Sequence, residues 1–540
     1  MKNYLIKTVC LFSLITTWFA LSLPTLVNAQ IRIDWQQCYG SLGPDYGFSI
    51  QPSNEGISVL GQVEEDSPSG MYECNNYAPY RANWLVGING EQALDWQNCF
   101  FIGLYQKLHK VGNGTYFITG LGLDNNYNYN LKVIQTDGYG NRLWSKYFGT
   151  DNGMYYCADN VFGMSSPDDG IVIATTIDEA SGDVSQHFGG NDCWMLKLDS
   201  EGNIVWQTTL GTEGNDIVTC LQEAKDGGLL LWIDSEQTGV GDIGCGQPEN
   251  KGVLVKTDAS GQVQWNICFE RTSVCSIVEM DDGYLLAGDH RYTVEPNGNC
   301  GDGIYTYDCY LLRCNLEGHV VWDKEYGGSC NDRMVKVLPY NGGYTVFTNS
   351  KSMDGDVESF VNLGVTGTEE GNIWVFHVDT EGNLLWESCI GSQLGLGEEM
   401  NDVIAIGESE FAIVGTNIWF DGVSSGMVDC SNNLLLPNSG SNIWLLRITD
   451  VYDYDAVHED SLLPDNEVNI TPNPTNSCIT ITGKNLKQIK VVNMLGQKVL
   501  SVQGEGNELR IDMVTLPAGV YFVTITNEEG RKCVRKVVKE

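Results

Sequence analysis

Positive charge is scarce in this sequence. Its 540 residues contain 31 Lys and Arg against 70 Asp and Glu, so the formal net charge is −39. A chain this acidic repels nucleic acids and anionic lipids, and neither is expected as a partner. The excess lies in residues 30–466, because residues 467–540 hold slightly more basic than acidic side chains. An acidic coat that keeps a protein soluble explains this distribution, which also favours cation binding.

Long apolar runs are almost absent. The one clear run covers residues 8–23, follows Lys2 and Lys7, and precedes the small-residue sequence Val27-Asn28-Ala29. This pattern is typical of a secretory signal peptide at residues 1–29, and the short run argues against a membrane anchor. No later segment is apolar enough to cross a bilayer. We therefore expect an exported protein that is soluble or attached to a surface by other means.

Motifs of common enzymes are missing as well. The sequence has no Gly-x-Ser-x-Gly, no His-Glu-x-x-His and no phosphate-binding Gly-x-x-x-x-Gly-Lys-Ser/Thr loop, and its six His are scattered. It therefore offers no catalytic residue. Paired carboxylates of a glycosidase or lyase stay open, since the sequence gives no distances between its many acids.

Cysteines are plentiful, but they lack the Cys-x-x-Cys spacing of a zinc site. One of the 18, Cys10, lies in the signal peptide, which leaves seventeen. In an exported protein we expect most of them to form disulfides with one thiol left over. Cys245, Cys300, Cys309 and Cys430 fall in long variable segments, as expected if disulfides hold long loops.

A two-strand pattern recurs along most of the chain. Residues 194–206 show it best: apolar Trp194, Leu196 and Leu198 alternate with polar residues, a turn follows, and a return strand contains Trp206. This alternation predicts a β-hairpin. The return-strand tryptophan recurs every 48 to 64 residues, at Trp35, Trp96, Trp144, Trp206, Trp265, Trp322 and Trp386.

The repeat is split between the two ends of the array. Residues 442–448 resemble the first half of the hairpin without its return strand, and residues 31–35 resemble a return strand without its first half. Pairing the two would close a ring and remove both exposed sheet edges. Each repeat also has room for two further strands. We therefore predict an all-β protein: a seven-bladed β-propeller at residues 30–450, with four strands per blade and the ring closed by the N- and C-terminal strands.

An aspartate recurs just before the first strand of most repeats. Since the same residue type returns at equivalent places, we expect it to cap a turn by accepting backbone N–H bonds rather than to catalyse. The positions are Asp45, Asp159, Asp216, Asp332 and Asp402.

Ligand binding is expected in the variable segments between repeats, because long insertions on a β scaffold build binding surfaces. Asp354 and Asp356 flank Gly355 in one of them, and alternating oxygen ligands suit calcium. The rest of a calcium loop is missing, so an Asx turn is the alternative and no other metal or cofactor is expected. Tyrosines could stack on sugars or pack on protein partners: Tyr72, Tyr77, Tyr80, Tyr305 and Tyr307.

The pattern stops after residue 450. Residues 451–466 are acidic, lack periodicity and are predicted to be a linker. Residues 467–540 contain six short alternating segments, at 478–482, 488–492, 497–500, 508–511, 520–525 and 532–537. They predict a small C-terminal β-sandwich. Cys478 and Cys533 near its ends are either a disulfide or two free thiols.

Four motifs in the tail resemble the type A C-terminal sorting domain of proteins exported by the type IX secretion system of Bacteroidetes. They are Thr471-Pro472-Asn473-Pro474, a central Leu495-Gly496-Gln497, Gly519-Val520-Tyr521, and a basic end that includes Lys536 and Lys539. An aromatic residue is usual where Thr471 stands. The resemblance implies recognition by the outer-membrane secretion machinery and frequent attachment to surface lipopolysaccharide. The repeats are also similar to those of many such exported proteins.

These features favour a secreted or cell-surface protein that reaches its destination through the periplasm. A binding or adhesion module for glycan or protein ligands ranks first, and a hydrolase or lyase acting on surface glycans or peptides ranks second. A structural coat protein ranks third. One cluster of unlike polar residues around the central channel would favour an enzyme, because repeat-forming residues recur in every blade.

Overall fold

The computed structural model describes most of the chain, and every structural statement below refers to that part. The described residues are 31–39, 44–53, 55–63, 82–154, 161–236, 241–244, 251–271, 273–293, 305–359, 371–391, 397–419, 440–452, 468–493, 498–517, 519–527 and 532–539. The predicted signal peptide, Asp159 and most of the predicted linker lie outside them. Ile31–Tyr452 forms one compact unit, and the C-terminal region Asp453–Glu540 belongs to another.

All described regular structure is β-strand, so the predicted all-β class is confirmed. No helix in these ranges is long and apolar enough to cross a membrane. The first four sheets are sheet 1 (β2 Tyr46–Pro52, β3 Gly56–Val63, β4 Ala82–Asn89, β5 Leu94–Phe100), sheet 2 (β6 Leu104–Lys110, β7 Tyr116–Leu123, β8 Tyr129–Thr136, β9 Arg142–Phe148), sheet 3 (β10 Val161–Ser165, β11 Ile171–Ile177, β12 Asp192–Leu198, β13 Ile204–Leu210) and sheet 4 (β14 Asp216–Glu223, β15 Leu229–Ser235, β16 Gly252–Thr257, β17 Val263–Phe269).

Three further sheets complete the first unit. They are sheet 5 (β18 Val274–Glu279, β19 Gly283–Thr293, β20 Tyr305–Asn315, β21 Val320–Tyr326), sheet 6 (β22 Asp332–Tyr340, β23 Gly343–Ser350, β24 Asn372–Asp379, β25 Leu384–Ile390) and sheet 7 (β26 Glu398–Ala405, β27 Glu410–Trp419, β28 Gly440–Asp450, β1 Ile31–Tyr39). Every sheet has four antiparallel strands in sequence order, except that the fourth strand of sheet 7 is β1.

The first strands of the seven sheets form a closed cycle of neighbours. Each of them contacts the first strand of the next sheet along the chain, from β2 through β6, β10, β14, β18 and β22 to β26, and β26 contacts β2 in turn. Chain connectivity alone accounts for neighbouring sheets, but it does not bring β26 and β2 together. The first strands therefore surround a common axis.

Strand β1 is joined to sheet 7 by a tryptophan–glutamine hydrogen bond that is also found in other sheets. The buried Trp194 indole donates through Nε1 to Gln207 Oε1 at 3.0 Å within sheet 3. The same bond joins Trp444 Nε1 to Gln36 Oε1 at 3.1 Å, although 408 residues separate the two in the chain. The split hairpin predicted from the sequence is thus present as the pair β28 and β1.

The repeated hairpin owes its turn to an aspartate and a glycine. Asp199 Oδ1 accepts the N–H groups of Glu201 at 3.0 Å and Asn203 at 2.8 Å, which holds the turn closed. Gly202 has φ +74°, a conformation that favours glycine, and a Cβ there would meet the Trp144 ring at 2.7 Å. The turn of sheet 3 is therefore shaped to receive the outer tryptophan of sheet 2.

Apolar side chains are buried between neighbouring sheets. Phe117 and Leu131 of sheet 2 pack with Ile171 and Trp194 of sheet 3 in one such layer. Another layer joins sheet 1 to sheet 7 and includes Ile50. The alternation of the strands supplies apolar residues to both faces of each sheet, so a sheet is stable only between two others.

The C-terminal unit is one connected sheet of five strands. They are β29 Asn469–Thr471, β30 Cys478–Asn493, β31 Lys498–Asp512, β32 Gly519–Asn527 and β33 Lys532–Lys539. The prediction of six short strands was wrong, because the segments near residues 478 and 488 join into β30 and those near 497 and 508 into β31. Asn485 at φ +52° and irregular pairing after Thr482 let the chain bend without ending the strand. The sandwich arrangement stays a prediction.

Seven of the described cysteines are free thiols, whereas the sequence predicted a single thiol left over. Cys478 is a free thiol that accepts hydrogen bonds from Arg510, so the disulfide with Cys533 is not formed. Cys309 is free and buried, and its Sγ donates to the Tyr326 carbonyl oxygen. The other expected loop cysteines lie outside the described residues: Cys245, Cys300 and Cys430. The free thiols are Cys193, Cys220, Cys275, Cys309, Cys314, Cys389 and Cys478.

Candidate functional site

The opening motif of the tail is attached to its last strand. Asn473 Nδ2 donates to the Lys536 carbonyl oxygen at 2.7 Å, and Asn473 Oδ1 accepts the Val538 N–H at 2.9 Å. Thr475 N–H donates to the Val538 carbonyl oxygen at 2.9 Å. Asn473 therefore acts as an extra strand residue beside β33, between Pro472 and Pro474.

Two other tail motifs meet on the same strand. Gly519 pairs with Lys539 and Tyr521 with Val537, so β32 lies along the basic end of the chain. The Tyr521 hydroxyl donates to the Pro517 carbonyl oxygen at 2.7 Å, which fixes the turn that enters β32. Lys536 is exposed and Lys539 is buried. Leu495, Gly496 and Gln497 lie outside the described residues, so three of the four motifs are seen to converge.

The two calcium candidates hold a neighbouring loop. Asp354 Oδ1 accepts the Ser329 N–H at 2.7 Å, and Asp356 Oδ2 accepts the Gly327 N–H at 3.2 Å. Both bonds reach the loop before β22 rather than the Asx turn weighed as the alternative. Within the described ranges no group of three His, Cys, Asp or Glu is placed to hold a metal ion.

The same contact recurs in two other sheets. Asp183 and Gly149 exchange backbone and side-chain hydrogen bonds as Asp356 and Gly327 do, and Asp242 and Gly211 repeat the pair. An apolar residue follows each aspartate into the core, as Val357 does. These aspartates belong to the Gly-Asp dipeptides at residues 182–183, 241–242 and 355–356. Each dipeptide thus anchors an insertion to the end of the previous return strand.

The recurring aspartate before the first strand caps turns, as predicted, in sheets 4 and 6. Asp216 accepts the Thr212 N–H at 2.5 Å and Asp332 accepts the Gly328 N–H at 2.8 Å. Asp402 was wrongly grouped with them. By strand register, Glu398 takes the equivalent place in sheet 7, and Asp402 follows a bulge inside β26.

Asp402 is the centre of a cluster that sequence analysis missed. Its Oδ2 accepts the Ser49 hydroxyl at 3.0 Å and the Ile50 N–H at 3.1 Å, both from β2. Its Oδ1 accepts the Lys336 ammonium of β22 at 3.3 Å and the Val403 N–H at 2.9 Å. The side chain of Asp402 is 14% exposed and that of Lys336 is 35% exposed. We name Ser49, Lys107, His109, Lys336 and Asp402 the first-strand cluster.

Charges in the first-strand cluster act across several sheets. Desolvation would raise the pKa of Asp402, but the charges of Lys336 and Lys107 and its hydrogen bonds together lower it. Burial, with the Lys107 charge, lowers the pKa of His109 to about 4, so His109 is neutral at pH 7. Its Nε2 is 3.0 Å from the Thr119 hydroxyl oxygen. The cluster therefore holds one carboxylate and two ammonium groups.

Cys220 is buried on β14, the first strand of sheet 4. Burial raises the pKa of the Cys220 thiol on β14 to about 12, and the Lys336 charge partly opposes that shift. Phe162 and Leu221, on β10 and β14, are partly buried against the apolar layer between sheets 3 and 4.

Sheet 5 carries a second polar group, on its extended hairpin β19 to β20. Glu325 accepts the Arg271 guanidinium at 3.0 Å, lies 2.7 Å from His290 Nδ1, and accepts the Tyr292 hydroxyl. Desolvation would raise the pKa of Glu325, but these partners lower it. All the side chains are paired with one another, which leaves little for a ligand.

The tyrosines expected to stack on sugars have their rings occupied. The Arg291 guanidinium lies 4.3 Å from the ring centre of Tyr305, and that of Arg333 lies 3.4 Å from the ring centre of Tyr307. Such cation–π contacts cover one face of each ring. The expected stacking at these two residues is therefore not favoured by the structure. Tyr72, Tyr77 and Tyr80 lie outside the described residues.

Residues 469–540 match the secretion system C-terminal sorting domain. The tail is thus similar to the sorting domains of this family. Its presence indicates secretion to the cell surface or the extracellular space and interaction with the type IX secretion machinery. None of the curated proteins matches the chain.

Comparison with solved structures gives only weak matches. A Pyrococcus horikoshii acylaminoacyl peptidase is 8% identical, with TM-score 0.35, covering 83% of this chain and 59% of its own. A member of the duf4221 family from Bacteroides vulgatus is 10% identical, with TM-score 0.31, covering 78% and 100%. The Dos1 propeller is 9% identical, with TM-score 0.26, covering 94% and 95%. Matches this distant assign no activity.

Proposed function

We propose that the protein is a secreted, cell-surface-directed module that binds glycan or protein ligands. The sorting-domain match at residues 469–540 carries this proposal, because it gives the chain a destination outside the cell. The basic last strand, clasped by Asn473, is the part offered to the type IX machinery. Attachment to surface lipopolysaccharide follows the usual behaviour of the type A domains that the tail resembles.

The binding module is a seven-bladed β-propeller at residues 30–450, joined by the linker 451–466 to the sorting domain at 467–540. Support comes from the seven four-stranded sheets, the closed cycle of their first strands, and the pairing of β1 with β28. A propeller presents the space around its axis and the loops between its strands to a ligand.

Binding is favoured over catalysis by the state of the first-strand cluster. An acid catalyst needs a carboxyl group that can hold a proton near neutral pH, but Asp402 is kept ionised by four donors. His109 is neutral, buried and bonded to Thr119, so it lacks access to a reacting group. The cluster supplies charge and hydrogen bonds without a nucleophile and base pair.

A surface hydrolase or lyase is the second candidate function. The first-strand cluster is an asymmetric group of unlike polar residues, which is the feature that would favour an enzyme. A glycan and peptide array on the purified mature protein, with product analysis of every ligand retained, separates the two. We expect retention without cleavage; release of shortened glycans or peptides would establish the hydrolase or lyase instead.

Deletion of residues 467–540 tests the export assignment. We expect the truncated protein to accumulate in the periplasm while the full chain reaches the surface. The matched control is Glu508→Ala, a substitution at an exposed position within the tail. It should leave export unchanged. Normal surface display of the truncated protein would refute the role of the tail.

We also propose that disulfides fasten four of the insertions. Cys38, Cys99, Cys268 and Cys330 end or follow the outer strands of sheets 7, 1, 4 and 5, and none is among the free thiols. Each of these sheets has one cysteine in the insertion between its second and third strands, namely Cys430, Cys74, Cys245 and Cys300. Sheet 6 lacks an insertion cysteine, and its outer-strand Cys389 is free.

Peptide mapping without reduction checks this pairing. We expect disulfide-linked peptides that join each outer-strand cysteine to the insertion of its own sheet, and an alkylated Cys389. Oxidation of the thiols to a disulfide transfers two electrons to a thiol oxidant such as a periplasmic disulfide oxidoreductase. Pairs that join different sheets would contradict the proposal.

A further inference from the structure

Sheet 2 is joined between its second and third strands by a much shorter segment than the other six sheets. Residues 124–128 alone connect β7 to β8. The corresponding segments of the other sheets range from residues 294–304 in sheet 5 to residues 351–371 in sheet 6. Every sheet except sheet 2 therefore has an insertion at this place.

The insertions contact the outer strands of their own sheets in the parts that the structure describes. In sheet 3, Gln207 Nε2 donates to the Asp183 carbonyl oxygen at 2.8 Å. Two residues later, the Thr209 hydroxyl donates to the Gln186 carbonyl oxygen at 2.9 Å. The residue after the outer tryptophan also contacts the insertion in sheets 4 and 6, where the pairs are Asn266 with Ile243 and Glu387 with Ser359. The outer strand of a sheet thus offers polar side chains to a segment of peptide.

In sheet 2 the equivalent side chains are left without such a segment. Ser145 and Tyr147 correspond to Gln207 and Thr209, because they lie at the same distances along the chain from the outer tryptophan of their sheet. Neither hydroxyl group makes a hydrogen bond with any described residue, and Ser145 is exposed. Sheet 2 therefore presents two hydroxyl groups at the place where other sheets bind an insertion.

A lysine lies on the third strand of sheet 2 where the other sheets bury a large or apolar side chain. The position is three residues before the partner of the outer tryptophan, which is Gln135 in sheet 2 and Lys197 in sheet 3. Lys132 occupies it in sheet 2 and is partly exposed. The residues at this position in the other sheets are at most 1% exposed: Trp84, Trp194, Val253, Tyr310, Trp374 and Trp444. A ligand can thus reach in sheet 2 a position that is closed elsewhere.

The Lys132 ammonium lies beside two aromatic rings and has donors to spare. Its Nζ donates to the Phe101 carbonyl oxygen at 2.6 Å, and lies 5.8 Å from the Phe101 ring centre and 4.9 Å from that of Tyr147. Phe101 is 47% exposed. An ammonium has three N–H groups, and only one has an acceptor among the described residues, where Lys132 also lacks an ion pair. By contrast, Lys197 on the third strand of sheet 3 pairs with Asp168 at 2.6 Å.

We propose that Phe101, Lys132, Ser145 and Tyr147, which we name the sheet-2 slot, bind an acidic peptide segment of a protein partner. This inference rests on the proposed binding function and names its ligand class. Peptide is favoured over glycan because peptide contacts the equivalent residues in sheets 3, 4 and 6.

The charges of the chain limit the composition of that peptide. A carboxylate would supply the counterion that Lys132 lacks, and such charge-assisted bonds are stronger than neutral ones. The net charge of −39 repels a segment with many acids. We therefore expect a single acidic side chain at Lys132, with main-chain carbonyl oxygens accepting from Ser145 and Tyr147.

Binding of defined probes to the mature full chain tests the slot. One pool contains capped octapeptides with a single Glu at a fixed central position and neutral residues elsewhere, and the matched pool has Gln at that position. Tri-galacturonate is the acidic-sugar probe, with galactotriose as its neutral control. We expect retention of peptides from the Glu pool, and little retention of the Gln pool or of either sugar.

Substitutions at Lys132 then locate the retained peptide. Lys132→Met should weaken its affinity at least about tenfold, because a charge-assisted bond is lost. Lys132→Trp introduces the residue that four other sheets bury at this position, and it should abolish binding by filling the slot. Lys225→Met is the matched control, because it removes the same charge from an exposed turn, where Lys225 pairs with Asp281. It should leave the affinity unchanged.

A measurement on the unaltered chain guards against misfolded variants. The bound Glu peptide should slow the acetylation of Lys132 and leave that of Lys225 unchanged. The inference is overturned if no Glu peptide is retained, if affinity survives both Lys132 substitutions, or if acetylation of Lys132 is unchanged. Retention of tri-galacturonate alone, dependent on Lys132, would overturn it in favour of an acidic glycan. In each of these cases the proposed binding function stands if the array retains any ligand, and an empty array would refute both.

Discussion

Asp308 is half-buried near Asp332, and its carboxylate is not fully compensated by hydrogen-bond donors. Its carboxylate lies next to Gly327, where a Cβ would be 2.9 Å from Asp308 Oδ1, and that oxygen has no hydrogen-bond donor among the described residues. Desolvation, together with the charge of Asp332, raises the pKa of Asp308 to about 7. Asn130 and Asn372 face the equivalent glycines, Gly149 and Gly391, in other sheets. The chain itself thus shows that an amide fits this place.

Replacing Asp308 with Asn is therefore expected to stabilise the protein near pH 8. An acid with a raised folded-state pKa binds more protons when folded, so stability falls as pH rises from about 4 to about 7. Asn removes that loss, and we expect a gain of about 1–2 kcal/mol at pH 8 and little change at pH 4. Thermal unfolding between pH 4 and pH 8 measures it.

The control for this prediction is Asp95→Asn, which removes the same charge from an exposed position on β5. It should leave both the stability and its pH dependence nearly unchanged. Two results would contradict this prediction: an Asp308→Asn protein that is less stable than the parent at pH 8, or one whose stability keeps the pH dependence of the parent. Either would show that desolvation of the Asp308 carboxylate does not destabilise the fold.

At the scale of the element, the hairpin is the unit that the sequence describes well. The alternation of apolar and polar residues predicted its two strands. The tryptophans equivalent to Trp206 predicted the return strand of every sheet. The partner of its glycine could not be foreseen, because Gly202 faces Trp144 of the preceding sheet. The same reasoning failed for β30 and β31, because the breaks in alternation between the predicted segments do not end these strands.

The aspartate of the hairpin turn gives a prediction at this scale. Hydrogen bonds from the backbone and side chain of Asn203, and from the Glu201 N–H, lower the pKa of Asp199. Its contribution is thus present at neutral pH and is lost as the pH falls through that lowered pKa. Asp199→Ala should cost about 1–2 kcal/mol at pH 7 and less below pH 3.

Chemical unfolding at the two pH values measures the effect. Glu201→Ala is the matched control, since it changes an exposed side chain in the same turn and keeps its N–H. Equal losses for the two variants would mean that the turn gains nothing from the Asp199 carboxylate.

At the scale of the whole molecule, the sequence predicted that the two ends of the repeat array meet within one sheet. It did not predict which side chains meet on the first strands. The split hairpin indicated that β1 would pair with β28. The first-strand cluster was missed because Ser49 and Asp402 are 353 residues apart and a bulge before Asp402 resets the alternation of β26. Lys336 in a largely apolar strand was the one available signal, and the sequence does not show which strands meet it.

Ring closure is the claim on which the binding module depends, because an open array would separate β26 from β2 and take Asp402 away from Ser49. Hydrogen exchange of the mature protein measures it at the amides of Ile31–Tyr39. We expect those amides to be protected as strongly as the amides of the other outer strands, such as Ile204–Leu210. Rapid exchange along β1 while β13 stays protected would contradict the closed ring.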